Sequence, residues 1–389
     1  MNFTVHNPVK IHFGAGKIST LGTIAQKYGK KIFIATMKDI VDLGVLEKAE
    51  VSLKDAGVDC FIYPEVKPEP KSDDIDNATA LIKAEGCDMV LGVGGGSCID
   101  VAKALAICAR HPEKIWSYVN LSNRPPQPVD EQLVLPIIAV PTTAGTGSEA
   151  TPYSVITNTQ TVQKGTVKES TIFPKEAIVD PELTLMLPPE LSVLTGIDVL
   201  AHAMESYFNV PNRTPYSDLL AEEAIGLVYK HLPRVKENGH DLDARAGMAW
   251  ASTLGGITIS QAGTTVAHAL AQPLGARLGL PHGVSVAIFL MAVMKQTLPM
   301  EAERFAKLAT IFGVTAGPDF EKIAYQGIER LEQFLASIDM PPKLSHYNAP
   351  DSLIEELAED VLTYMARPLQ QHPKVFNREE LCEIVRQSF

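Results

Sequence analysis

The sequence predicts an α/β N-terminal domain with a parallel sheet, followed by an all-α C-terminal domain. Over residues 1–180, short apolar runs alternate with helical patterns, as in a sheet covered on both faces. Over residues 181–389 the strand signal fades and amphipathic segments succeed one another. The chain has 389 residues, 46% of them hydrophobic and 21% charged, which suits a globular protein with more than one core.

The elements follow in order. KKIFIAT from Lys30 and VDCFIYPEV from Val58 read as strands. DMVLGV from Asp88 and LVLPIIAVP from Leu133 are short apolar runs bounded by glycine or proline, and read as buried strands. DNATALIKAEG from Asp76 and IDVAKALAICAR from Ile99 read as the intervening helices. The proline-rich NRPPQPVD from Asn123 reads as a surface loop. Helices are then expected over 188–208, 217–232, 243–261 and 301–313. Ser352 with Glu355, and Asn377 with Glu380, have capping-box spacing.

Composition narrows the function classes. A net charge of −12 argues against nucleic acid or an anionic membrane surface as partner, since both need a basic face. The longest apolar stretch, VSVAIFLMAVM ending at Met294, is too short to cross a bilayer and reads as a buried helix. MNFTVHNPVKIHFGAG lacks the pattern of a signal peptide, and the five scattered cysteines form no CxxC pair. A cytoplasmic protein with reduced thiols is expected.

Two loops have the character of a nucleotide site. GVGGGSCID follows a strand-like run and opens a helical pattern. Gly94, Gly95 and Gly96 permit a tight turn and close backbone approach, and the helix start offers free N–H groups to a pyrophosphate. A plain turn with Ser97 as helix cap is the structural alternative. PTTAGTGSEAT, from Pro141, follows another strand-like run. Both loops stand at the carboxyl ends of expected parallel strands, where open α/β sheets bind ligands.

Titratable residues gather in the second half. Asp198 and His202 stand four apart, hence on one helical face. Capping by Asp198 with Thr195, and a satisfied core role for His202, are the structural alternatives. In HALAQPLGARLGLPHG, His268 and His282 are 14 residues apart, enough for a helix, a turn at LGLP and a return. One carboxylate and three imidazoles make a sulfur-free donor set suited to Fe(II), Zn(II) or a similar ion.

Together, GGGSCIDVAKA, PTTAGTGSEAT, IDVLAHAMESY and HALAQPLGARLGLPHG resemble, in this order, the iron-containing (group III) alcohol dehydrogenases. The resemblance implies a dinucleotide-binding domain, a helical domain and an active site in the cleft between them. It implies Asp198, His202, His268 and His282 as metal ligands, with iron(II) favoured over zinc(II). It implies nucleotide contacts from Gly95, Gly96, Ser97 and Asp100, from Thr142, Thr143 and Ser148, and from Lys164 toward the cofactor ribose. The reaction implied is hydride exchange between NAD or NADP and a small primary alcohol or aldehyde, the cation polarising the oxygen. A homodimer or larger homo-oligomer is implied as well. The alternative is a dehydroquinate-synthase-like lyase that holds NAD tightly through its cycle.

Two positions depart from the family pattern. Where the family often has a second histidine four residues after His268, this chain has Gln272. It hydrogen-bonds but does not titrate, so water or a ribose hydroxyl is left to carry the proton. Gln272, with Thr264 and Thr265, tilts the expectation toward short aldehydes bearing a hydroxy, carboxy or sulfo group. Met37 stands where many NAD-preferring relatives carry aspartate, which removes a repulsion toward a 2′-phosphate, and Lys38 follows it.

Overall fold

The computed structural model describes residues 2–340 and 342–389. The chain divides into two compact units: His6–Leu187, and Pro188–Phe389 with the few residues before His6.

The first unit is a six-stranded parallel sheet, β1 (Lys10–Phe13), β2 (Lys31–Ala35), β3 (Asp59–Tyr63), β4 (Met89–Gly94), β5 (Ile137–Pro141) and β8 (Glu176–Val179), in the order β1-β8-β5-β4-β2-β3. A separate antiparallel hairpin joins β6 (Tyr153–Asn158) to β7 (Gln163–Lys168). The helices are α1 (Leu21–Ala25), α2 (Lys38–Asp42), α3 (Val45–Asp55), α4 (Ser72–Glu85) and α5 (Gly96–Cys108).

Strand alternation sorts the apolar side chains onto two faces. Phe33 and Val90 join Ile75, Ile82 and Leu105 in one core, under α4 and α5. Ile32, Ile34, Met89, Leu91 and Val93 join Leu21, Leu46 and Leu53 in the other, under α1 and α3. Every residue of β4 and β5 is buried, so the sheet centre must read as continuous apolar sequence.

The chain leaves β2 for β3 on one side and β4 for β5 on the other. Winding therefore reverses between β2 and β4. Their carboxyl ends run into Thr36–Met37 and Gly94–Ser97, which puts both at the topological switch point, where doubly wound sheets take ligands.

Helices make up the second unit: α6 (Pro189–Tyr207), α7 (Pro215–Glu237), α8 (Leu242–Gln261), α9 (Val266–Leu278), α10 (His282–Thr297), α11 (Ala302–Ile311), α12 (Phe320–Ser337), α13 (Leu353–Thr363), α14 (Ala366–Gln370) and α15 (Arg378–Gln387). Pro189 opens α6 at the position where a missing N–H costs nothing. Gly279 ends α9 with φ +65°, and Pro281 caps the start of α10, so LGLP is the expected turn.

Several expectations change. The strands β1 and β8 and the β6–β7 hairpin are additional to those read from the sequence. Pro181–Thr184 forms a 3₁₀ turn capped by Asp180 and stays with the first unit. The apolar helix is longer than its 11-residue apolar core suggests. The run His282–Met300 spans 19 residues, enough to cross a bilayer by length and composition, but 67% of its apolar window is buried inside the fold. Asn377 and Glu380 form the expected capping box. Ser352 caps nothing with its side chain, because its backbone is already helical (φ −59°, ψ −24°) and an N-cap needs extended geometry.

Candidate metal centre and nucleotide loops

Helix α6 presents Asp198 and His202 one turn apart, α9 brings His268, and α10 begins at His282. Thr195 lies inside α6 and donates to the Ser192 carbonyl, so Asp198 is not part of a cap. Asp198 Oδ1 is 3.5 Å from His202 Nε2 and 3.6 Å from the Nε2 of both His268 and His282. One donor atom from each of the four residues lies within 4.8 Å of the others. The His202 and His268 rings stack with centroids 4.8 Å apart.

Asp198, His202 and His268 are buried, and His282 is half-buried. Asp198 Oδ1 and His268 Nε2 are buried without a hydrogen-bond partner among the described residues, which is costly unless a cation lies among them. Burial alone would raise the Asp198 carboxyl, but the three imidazoles, His202 first, hold it well below the usual carboxylate range. Burial opposes charge on His268, yet Glu205 and Asp198 push its pKa up to about 9. A ligating imidazole is neutral, so a cation bound here would displace that proton. These residues could hold Fe(II) or Zn(II) as a nitrogen-and-oxygen donor set.

Glu205 was not singled out in the sequence, although it lies on α6 three residues beyond His202. It is fully buried, and its Oε2 bonds His268 Nδ1. Its Oε1 accepts from the amides of Thr265, Ala267 and His268 and from the Thr265 hydroxyl, at 2.8–3.3 Å. Thr265 is thus engaged by Glu205 and unavailable as polar lining. Gln272 lies one turn after His268 on α9 with 8% exposure, and its Oε1 is buried without a hydrogen-bond partner among the described residues.

In the first unit Gly95 is the residue before α5, and its N-cap position makes no side-chain bond; Ser97 falls inside the first turn rather than capping it. Gly94 has φ +144°, and a Cβ there would stand 2.4 Å from Cys98 Sγ. A Cβ on Gly96 would stand 2.6 Å from Thr146 Cγ2, so the two loops approach too closely for any larger residue to fit without movement. Gly95 faces Thr143, whose Cγ2 would be 3.3 Å from an added Cβ. The Thr142 amide donates to the Gly94 carbonyl at 2.9 Å, and the buried Thr142 hydroxyl has no hydrogen-bond partner among the described residues.

Asp100 and Ser148 are both buried and bonded to each other at 2.7 Å, and Asp100 also accepts from the Val155 amide at 2.9 Å. Lys103 is fully buried beside them. Its Nζ donates to the carbonyls of Ser148 (2.6 Å) and Tyr153 (2.8 Å) and to the hydroxyls of Ser148 (2.9 Å) and Thr151 (3.2 Å). Burial pulls its pKa down to about 8 against the attraction of Asp100 and Glu149. Lys164 is buried in an ion pair with Glu69. Met37 precedes α2 in extended backbone, bridges to Glu65, and packs its side chain on the core under α4 and α5, while Lys38 is exposed.

The family model described as iron-containing alcohol dehydrogenase matches residues 8–181, and that of the Fe-containing alcohol dehydrogenase family, C-terminal, matches residues 192–389. The chain belongs to the iron-containing alcohol dehydrogenase family. It is therefore an oxidoreductase acting on CH–OH groups. It is 36% identical to long-chain-alcohol dehydrogenase 1 of Geobacillus thermodenitrificans over 91% of this chain and 89% of the relative. It is 31% identical to the NAD-dependent methanol dehydrogenase of Bacillus methanolicus over 96% of each chain. The crystal structure of an archaeal halo-thermophilic Red Sea brine pool alcohol dehydrogenase superposes with a TM-score of 0.95 at 32% identity, covering 100% of this chain and 99% of the other. The lyase alternative finds no support in these relatives.

Proposed function

We propose a metal-dependent, NAD(P)-linked dehydrogenase that interconverts a small primary alcohol and its aldehyde, with Asp198, His202, His268 and His282 holding iron(II) in preference to zinc(II). The observation that carries this reading is the converging donor set, with Asp198 Oδ1 and His268 Nε2 buried and without a hydrogen-bond partner among the described residues. When bound, the cation supplies Lewis acidity toward the substrate oxygen and the nicotinamide exchanges the hydride.

The chain's own residues do the rest. Asp198 offsets cationic charge within a buried setting. Gln272 offers a hydrogen-bonding amide to a second polar group on the substrate, which favours hydroxy-, carboxy- or sulfo-substituted aldehydes, and it holds no titrating proton. Gly95, Gly96 and Ser97 present backbone N–H groups at the start of α5 to the pyrophosphate. Thr142 and Thr143 add hydroxyls beside that turn, and Met37 borders the adenosine end. Asp100 and Ser148 shape the nucleotide loops through their mutual bond, and Lys164 is poised for the ribose from its pairing with Glu69. The five free thiols suit a reducing, cytoplasmic setting. A homodimer or larger homo-oligomer completes the proposal.

Protein stripped of metal and reloaded separately with Fe(II) or Zn(II) should oxidise NADH or NADPH when given short aldehydes, including substituted ones. Absence of turnover with every pairing, despite metal and nucleotide binding, would overturn the reading. Light scattering on the same sample would settle the oligomer.

A further inference from the structure

The carboxylate of Glu205 is held on both of its oxygens. It sits on α6 with no exposed surface, and all of its bonds reach across to the start of α9. One oxygen takes the amides of Thr265, Ala267 and His268, at the helix end whose dipole favours a negative charge. The other meets His268 Nδ1. An ionised carboxylate only accepts, so Nδ1 must carry the hydrogen in that contact, and the lone pair of the neutral ring is left on Nε2. That nitrogen lies 3.6 Å from Asp198 Oδ1, among the other donors.

We propose that Glu205 is a positioning residue for the metal centre. It fixes His268 in the tautomer that donates through Nε2 and locks the start of α9 against α6, the helices that carry three of the four donors. The proposal rests on the metal reading above. Backbone satisfaction alone would need only one of the carboxylate oxygens, whereas Glu205 also commits its second oxygen to a ring nitrogen.

Glu205→Gln separates the two roles. Glutamine keeps an acceptor for the amides of α9 but turns an NH₂ toward Nδ1, which forces the proton onto Nε2. The affinity for Zn²⁺, measured by chelator competition, should fall about 10- to 100-fold, the usual cost of losing a carboxylate behind a ligating histidine. The metal-free variant should still melt cooperatively, at a lower temperature because a buried carboxylate–imidazole pair is lost, and NADH affinity should not change. Equal Zn²⁺ affinity in a folded variant would overturn the proposal.

A second measurement needs no variant. In the Zn²⁺-loaded wild-type protein, ¹⁵N-histidine spectra should show His268 with a slowly exchanging Nδ1 proton and a coordinated Nε2. Coordination through Nδ1, or an unprotonated Nδ1, would overturn the proposal even if the variant fails to fold. A wild-type protein that binds no divalent ion would instead remove the metal reading, and this proposal with it.

Discussion

Ser148 Oγ donates a 2.7 Å hydrogen bond to Asp100, tying the loop that follows β5 to helix α5. Lys103 secures that link by donating to both the hydroxyl and the carbonyl of Ser148. The shape of the nucleotide loops thus depends on a buried ammonium three residues along α5 from Asp100.

Lys103→Met should therefore loosen the second loop while sparing the helical unit. Removing one partner of a buried charged network costs about 3–5 kcal/mol, read by denaturant unfolding. NADH affinity should fall by at least about tenfold, or roughly 1.4 kcal/mol, in calorimetry, with metal content unchanged. Unchanged NADH affinity would show that the network shapes nothing the nucleotide uses.

Gly96→Ala tests the close approach of the same loops. Its added methyl would meet Thr146 at 2.6 Å, and the loops must part to admit it. NADH binding should weaken by about tenfold or more, while alanine's better helix propensity limits the stability change to within about 1 kcal/mol. Tight NADH binding by this variant would mean the turn has slack that the geometry denies.

His372 predicts an acid limb. Its Nε2 meets Thr297 Oγ1 at 2.8 Å and its Nδ1 accepts from the Lys374 amide at 3.0 Å. Burial pushes its pKa down to about 4, so the folded protein keeps the ring neutral where the unfolded chain protonates it. The stabilisation is full above about pH 6.5 and is lost as pH falls toward 4, amounting to roughly 3 kcal/mol across that window. His372→Gln should flatten the unfolding free energy over this range; an unchanged slope would assign the acid limb to other groups.

Gln272→Leu addresses the substrate. For an aldehyde bearing a second hydroxyl, KM should rise by about tenfold, the worth of one hydrogen bond, while an unsubstituted aldehyde of equal length should be little affected. Equal effects on both substrates would remove Gln272 from substrate recognition.

What could be read from the sequence follows from its physics. β2 was legible because Ile32, Phe33 and Ile34 are apolar on both faces. β1 and β8, four residues each, give too short a pattern, and the threonines, asparagine and glutamine of β6 and β7 disguise a hairpin as loop. The four donors of the candidate centre were legible because imidazoles are rare in apolar helices. Glu205 had a signal as well, a glutamate among buried residues two turns past Asp198. Its partner on α9 is sixty or more residues away, and only the fold brings them together. The same holds for Lys164, whose partner Glu69 no local pattern could name.

The most direct measurement is a metal titration of stripped protein, following aldehyde-dependent NAD(P)H oxidation as Fe(II) is added. Activity should rise linearly to a break at one ion per chain, and Asp198→Ala should neither retain the ion nor turn over. Full activity in the stripped protein, or an Asp198→Ala variant that matches the wild type, would contradict a metal centre at Asp198, His202, His268 and His282.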